Sequence, residues 1–493
     1  LQALKKKPLK RNQMRLTNSI LFIITICFFF GCKVQKSSNA LIVKELPASF
    51  NQNSETVKDS ISLLDWRMHY LDPSLRALID TALKKNFDLN IALQKIEVAR
   101  AGFKSVRGIR LPDLNAYIGA GQQRFGEYTM DGVGNFDTQF SPNLNANQVV
   151  PNPLQDYSLL LQSSWEIDVW GKLKNKKKAA INRFVASQHG RDFIITNLIS
   201  EIAYQYFDLV TLDSEIKIIQ ANIILQQNAL NTVEAQKASA KVNELAVEVV
   251  AAQLLNTKAM EAELKQKLVE CESKLSYLCG GFPNTIKRAA ALQDTSIQEI
   301  SNIGIPSDLL RHRPDIKEAE KQLIASKADV NSARAAFYPS ININSTIGFQ
   351  AFNAMLLLES PASLAYSFMG GLTAPLLNRR KIKADLMVAK AEQRLSYINY
   401  ESKVVNGFME VYNAVNNINN TNDMIRFKLE EVDILKKSVE TSAELFKAGR
   451  ANYLEVIYSQ KNALQTQLEL ADYRKKLNVA KVRLYRSLGG GWK

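Results

Sequence analysis

The sequence predicts an α+β membrane protein of two internal repeats. Three copies would complete a β-barrel, with four strands per chain and twelve in total, continuous with a long α-helical barrel. Three observations lead there: two gapless internal alignments, helical runs too long for any compact domain, and alternating segments that each follow a helix across a proline.

The chain has 493 residues, 46% of them apolar, which is ample for a buried core. Its formal charge is +15, but residues 1 to 31 hold six cations and no acid, leaving +9 for the rest. Those remaining cations are interleaved with acids along helical stretches, a solvated pattern that gives no nucleic-acid groove.

The N-terminus reads as an export signal. A basic start, with Met14 a candidate initiator, leads into "ILFIITICFFF", residues 20 to 30, too short to span a bilayer and well sized for a signal core. Gly31 before Cys32 fits a lipoprotein signal peptide over 1–31, cleaved ahead of Cys32, which then carries the acyl chains; Phe29 departs from the usual Leu. The polar stretch 32–72 reads as a lipid-anchored tether, and the folded body is expected from Pro73.

Catalytic and metal chemistry find no footing. Cys27 leaves with the signal, while Cys271 and Cys279 lie eight apart on one predicted helix, about 12 Å by helical rise, too far to pair. With His69, His189 and His312 the only histidines, neither a zinc cluster nor a His-based triad is expected, and no cofactor is implied. "RHRPD", residues 311 to 315, is a helix start: Pro314 suits the first turn and Asp315 is a favourable charge there.

The repeats organise the body. Residues 88–115 align to 315–342 at an offset of 227 with seven identities in 28, including Arg107/Arg334 and Pro112/Pro339. Residues 236–281 align to 445–490 at an offset of 209 with eleven identities, including Asn243/Asn452, Leu245/Leu454 and the closing glycine pairs. The change of offset gives the first half 18 extra residues, expected in a long loop over 124–156 against a short one over 351–362. The expected divisions are repeat 1 over 73–281, an equatorial linker over 282–305 and repeat 2 over 306–493.

Each half then reads helix, strand, loop, strand, helix, tip, helix. Ile341, Ile343, Ile347 and Phe349 alternate with Asn342, Asn344, Thr346 and Gln350, and Leu114, Ala116 and Ile118 alternate likewise. Trp165 and Trp170 at a strand end suit a membrane interface. From Lys172 to about Ala240 there is no proline, a run of about 100 Å as helix, with a seam of Ile216, Ile219, Ile223, Leu230 and Val233. Residues 381–449 repeat it, and both helices return beyond a tip.

Four strands cannot close a barrel, whose smallest known size is about eight, and a bilayer tolerates no unpaired edge. Three copies supply twelve strands above a cylinder of helical legs. Pro112 and Pro339 mark the switch from helix to strand where the wall enters lipid.

The run "IPSDLLRHRPDIKEAEKQLIASKADVNSARAAFYPSI", with "SWEIDVWGKLKN" and "GLTAPLLNRRKIKADL", resembles the TolC-like outer membrane factor family, specifically the NodT-type lipoproteins of tripartite RND-type efflux systems, over about residues 60 to 490. The family typically carries "PLFDGG" where this chain has "PLLNRR", so Asn378, Arg379 and Arg380 depart from it. The resemblance implies a homotrimeric outer-membrane channel with a periplasmic tunnel, lipid-anchored, docked by a periplasmic adaptor (membrane fusion) protein and energised by an inner-membrane transporter. It also implies that the tips, with Asn243, Glu244, Leu245, Gly449, Arg450, Asn452, Leu454 and Glu455, form the aperture and docking surface. Gly449 suits the left-handed residue that closes a helix and Asn452 the cap of the next. Glu455 has two readings, a capping box with Asn452 or one member of a carboxylate ring. Passive conduction is the expected function, cargo unspecified; a protein-secretion duct and a poreless coiled-coil lipoprotein are the alternatives.

Overall fold

The computed structural model describes residues 47, 65–290, 297–298, 306–377 and 379–492. The expected signal peptide, Cys32, nearly all of the tether, much of the 282–305 linker and Asn378 lie outside the described residues.

The described body opens before Pro73. Helix α1 (Trp66–His69) buries Trp66, and with Tyr70 it enters the largest core beside Tyr206, Phe207 and Tyr485. The tether boundary at residue 72 is therefore corrected: the aromatic pair Trp66 and Tyr70 belongs to the body. Asp72 caps α2 (Pro73–Lys85) through the Ser74 N–H and accepts a 2.5 Å bond from the Tyr206 hydroxyl.

Helix α3 (Phe87–Gly108) ends four residues before Pro112, and α8 (Pro314–Ala335) ends four before Pro339. That is the spacing at which a proline ring opposes the carbonyl of an ongoing helix. Strands β1 (Asp113–Gln123) and β3 (Ser340–Ala351) follow at once. β2 (Leu154–Ile167) and β4 (Leu364–Thr373) return antiparallel, and the four form one sheet in the order β1-β2-β3-β4. The β2–β3 pairing, Tyr157 opposite Ala351 to Ile167 opposite Ile341, joins the repeats. The loop between β1 and β2 is not wholly irregular: it holds helix α4 (Met130–Asp137), capped by the Thr129 hydroxyl.

The long elements are α5 (Lys172–Ala238, 67 residues) and α9 (Arg379–Lys447, 69 residues), each about 100 Å. α6 (Glu244–Leu278) and α10 (Tyr453–Ser487) return along them. Along the expected seam Ile219 and Val233 are buried, and Ile216, Ile223 and Leu230 half-buried. Short α7 (Leu309–His312), at the head of α8, packs Leu309 against Val404 and Val411 midway along α9 and against Leu484 and Leu488 at the end of the returning leg.

Equivalent contacts hold both halves. The Asn86 amide donates to the Leu278 carbonyl at 2.9 Å, and Arg313 donates to the Ser487 carbonyl at 3.0 Å. Gly280 and Gly489, both at positive φ, press so close to the carbonyls of Lys85 and His312 that a Cβ would stand 2.3 and 2.7 Å away. In each repeat the returning helix thus closes onto the junction where α2 meets α3, or α7 meets α8.

Candidate functional site: the sheet faces and the helical tips

Residues opposite one another in an antiparallel sheet share a face, so the register sorts all four strands. One face carries Leu114, Ala116 and Ile118; Leu159, Leu161 and Trp165; Ile341, Ile343, Ile347 and Phe349; and Leu364, Tyr366, Phe368 and Leu372. No charged residue interrupts it, and it is bare: Ile118 is 80% exposed and Tyr366 79%. The opposite face carries Asn115, Gln162, Ser164, Asn342, Asn344, Thr346 and Ser367, with Tyr117, Leu154, Leu160, Ala365 and Met369 as its apolar exceptions. Its charged members are Asp113, Asp156 and Glu166, all acidic. β1 and β4 each leave one edge unpaired within the chain.

One end of the apolar band carries an aromatic belt. The Trp165 indole donates to the Arg110 carbonyl at 3.1 Å. Trp170 donates to the Pro339 carbonyl at 2.7 Å and stacks on Tyr338 with centroids 4.9 Å apart. Indoles so placed offer apolar rings to hydrocarbon and leave their N–H groups satisfied, as an interface requires.

The tips use one closing motif twice. At the second, Gly449 has φ 70°, and the N–H groups of Gly449 and Arg450 donate to the carbonyls of Phe446 and Leu445. At the first, Ala240 takes the same part with φ 55°, and the N–H groups of Ala240 and Lys241 donate to Lys237 and Gln236. Sequence reasoning missed Ala240, although the offset of 209 sets it against Gly449. Asn243 caps α6 through the Ala246 N–H at 3.2 Å, and Asn452 caps α10 through the Leu454 N–H at 2.6 Å. The capping box read for Asn452 and Glu455 is not formed: the Glu455 N–H bonds the Asn452 carbonyl, while its exposed carboxylate has no partner among the described residues. Arg450 is likewise exposed and unpaired among them, whereas Glu244 pairs with Lys237. Leu245 and Leu454 are exposed, at 55% and 49%. Beneath them Val233, Ala246 and Val250 pack with Phe446, Tyr453 and Ile457, so the two tips share one apolar cluster.

"RHRPD" is structural here. Arg313 is 4% exposed and binds Asp315 at 2.8 Å, Glu410 at 2.7 Å and the Ser487 carbonyl. Burial alone would lower its pKa, but the Asp315 and Glu410 carboxylates raise it above the ordinary arginine value. Arg288, also missed, clamps Asp213 and Glu272 at 2.5 Å each, and its partners hold its pKa above the ordinary value. His69 is fully buried and stacked on Tyr485 at 4.0 Å; burial, aided by the Lys481 charge, lowers its pKa to about 3.

The chain matches the outer membrane efflux protein family over residues 78–281 and 305–490. It is similar to the cation efflux system protein CusC of Escherichia coli O6:H1, at 28% identity over 446 residues covering 90% of this chain and 92% of that protein. It is also similar to the probable outer membrane lipoprotein SilC of Salmonella typhimurium, at 27% identity, covering 96% and 98%. A crystal structure of CusC, from work on folding and transmembrane channel formation, superposes with a TM-score of 0.76 at 26% identity, covering 91% of this chain and all of that one.

Proposed function

The chain belongs to the outer membrane efflux protein family, and on that premise we propose that three copies join sheet edge to sheet edge into one passive conduit. As a member it is an outer-membrane channel of an efflux system; the assembly, the partners and the working parts are the proposal. The observation that carries it is the uncharged, mostly apolar face, with only Ser163, Ser345, Gln122 and Gln155 polar on it, across four strands whose outer edges lack partners within the chain. In lipid such edges are untenable, and pairing β4 of one copy with β1 of the next closes twelve strands with the apolar face outward.

The polar face then lines water, and its charged groups are all carboxylates. A lumen so charged favours cations over anions. Below it the long helices form the tunnel, and the tips close it. Glu455, freed from capping, contributes one carboxylate per copy to a ring, and Arg450 faces a neighbouring copy. A periplasmic adaptor docks on the exposed Leu245 and Leu454 and an inner-membrane transporter of RND type supplies energy; opening parts the tips. Cys32 carries the lipid anchor.

Purified full-length oligomer in a planar bilayer tests this. Steady conductance with a cation preference is expected, and Glu455→Gln should raise the conductance of the resting channel. An oligomer without any pore would reject the conduit.

A further inference from the structure

At the belted end of the sheet both long helices begin with cations. Lys174, Lys176 and Lys178 open α5; Arg380, Lys381 and Lys383 open α9; neither first turn holds an acid. All six are exposed, and none has an ion-pair partner among the described residues. Positive charge at a helix N-terminus works against the macrodipole, so helix stability does not account for them.

A second observation points the same way. Lys172 and Lys174 correspond to Lys381 and Lys383 at the offset of 209 and are the two residues kept between "GKLKN" and "RKIKA", and Arg107 corresponds to Arg334 at 227, in a stretch with seven identities in 28. The cations recur in both halves, so a closed ring of copies carries them all around. Acids close by are outnumbered: Glu166 holds Lys172 at 2.9 Å, Asp168 accepts the N–H groups of Leu173 and Lys174, Asp113 accepts the Ser164 N–H, and exposed Asp385 follows Lys383 along α9. The collar therefore stays positive. It lies at the depth where Trp165, Trp170 and Tyr338 mark the edge of the hydrocarbon.

We propose that this collar binds the phosphates of anionic phospholipids in the leaflet on the helical side of the barrel, fixing the depth and tilt of the channel. Lysine and arginine stems lie along the apolar border while their heads reach the headgroup phosphates. The inference rests on the sheet spanning the membrane, and the test separates the two.

Full-length protein is reconstituted into vesicles of phosphatidylcholine with either brominated phosphatidylcholine or brominated phosphatidylglycerol, and quenching of tryptophan fluorescence is compared. Quenching by brominated phosphatidylcholine reports only that the sheet sits in lipid; without it the membrane reading fails. A preference for phosphatidylglycerol of about fivefold or more is expected, the order that one interfacial cation supplies. It should fall towards unity in a Lys174→Gln, Lys178→Gln, Arg380→Gln, Lys383→Gln variant and in molar salt. Equal quenching by the two lipids in the wild type, or a preference that survives in the variant, overturns the proposal. So does a variant that loses no lipid preference but changes the ion selectivity of the pore, which would put the cations in the lumen.

Discussion

The two tips offer an exchange experiment within one molecule. Ala240 and Gly449 hold the same left-handed position, at φ 55° and 70°, and close the same pair of bonds. A Cβ built on Gly449 meets nothing within 4 Å, so Gly449→Ala introduces no clash and its cost is that of the backbone alone. For an L-residue that is about 1–2 kcal/mol, and about 1.4 kcal/mol is tenfold in an equilibrium. Alanine also takes about 0.4–1 kcal/mol of freedom from the open state, which offsets part of that cost, so amides 448–451, among them the Arg450 N–H bonded to Leu445 at 2.8 Å, should exchange hydrogen only about two- to threefold faster. Ala240→Gly relieves the same strain, offset by about 0.4–1 kcal/mol of extra freedom in the open state. Amides 239–242 should therefore slow only about two- to threefold. Hydrogen–deuterium exchange by mass spectrometry reads both tips at once, with β2 as the unchanged reference. Equal rates in all three proteins, or faster exchange in Ala240→Gly, would show that the left-handed residue does not limit tip opening.

Acid should weaken the body through His69. Its folded pKa of about 3 lies below the unfolded value, so the unfolded chain binds the extra proton. Stability is whole above about pH 6.5 and falls by about 1.4 kcal/mol per unit below it, about 2 kcal/mol by pH 5, and His69→Leu should flatten that slope in urea titrations. Arg313→Met strands buried Asp315 and the Ser487 carbonyl, and should cost about 3–5 kcal/mol, read as a lower Tm. Asn86→Ala, at the equivalent place in the first repeat, removes a neutral amide and should cost only about 1–2 kcal/mol in the same melt. Ile347→Arg on the apolar face should lose about 2–4 kcal/mol of membrane stability, whereas Asn344→Arg on the polar face should fold normally and reduce cation preference in conductance traces.

Periodicity made much of this architecture legible. Alternation in Ile341 to Phe349 placed the strand and its two faces, Pro112 and Pro339 placed both switches, and the proline-free runs placed the long helices to within about two residues. What escaped were features set by contacts distant in sequence. Trp66 and Tyr70 look like part of a polar tether until Tyr206 and Tyr485, far along the chain, supply the core that buries them. Helix α4 escaped because its eight residues contain two glycines, and only the Thr129 cap announced it.

The hinge of each repeat shows how far alignment reaches and where it stops. Asn86 and Arg313 correspond at the offset of 227, whereas the carbonyls they bind, on Leu278 and Ser487, correspond at 209. Each contact thus joins two segments aligned by different rules, across the stretch where the inserted loop changed the spacing. Alignment pairs the residues one by one, but it cannot say that the two alignments meet in space. Nor does it reveal that an amide and a guanidinium do the same work, because the identity is lost. Asp88 and Glu201 stand at the positions matching Asp315 and Glu410, but only the second repeat turns these acids onto a guanidinium, so the duplicated hinge is ionic on one side and neutral on the other. Arg313→Asn, which copies the first repeat's side chain into the second, should then lose more stability than Asn86→Ala, because Asp315 stays behind without its cation. An equal loss would mean that the carbonyl contact alone fastens each hairpin and that the buried ion pair adds nothing.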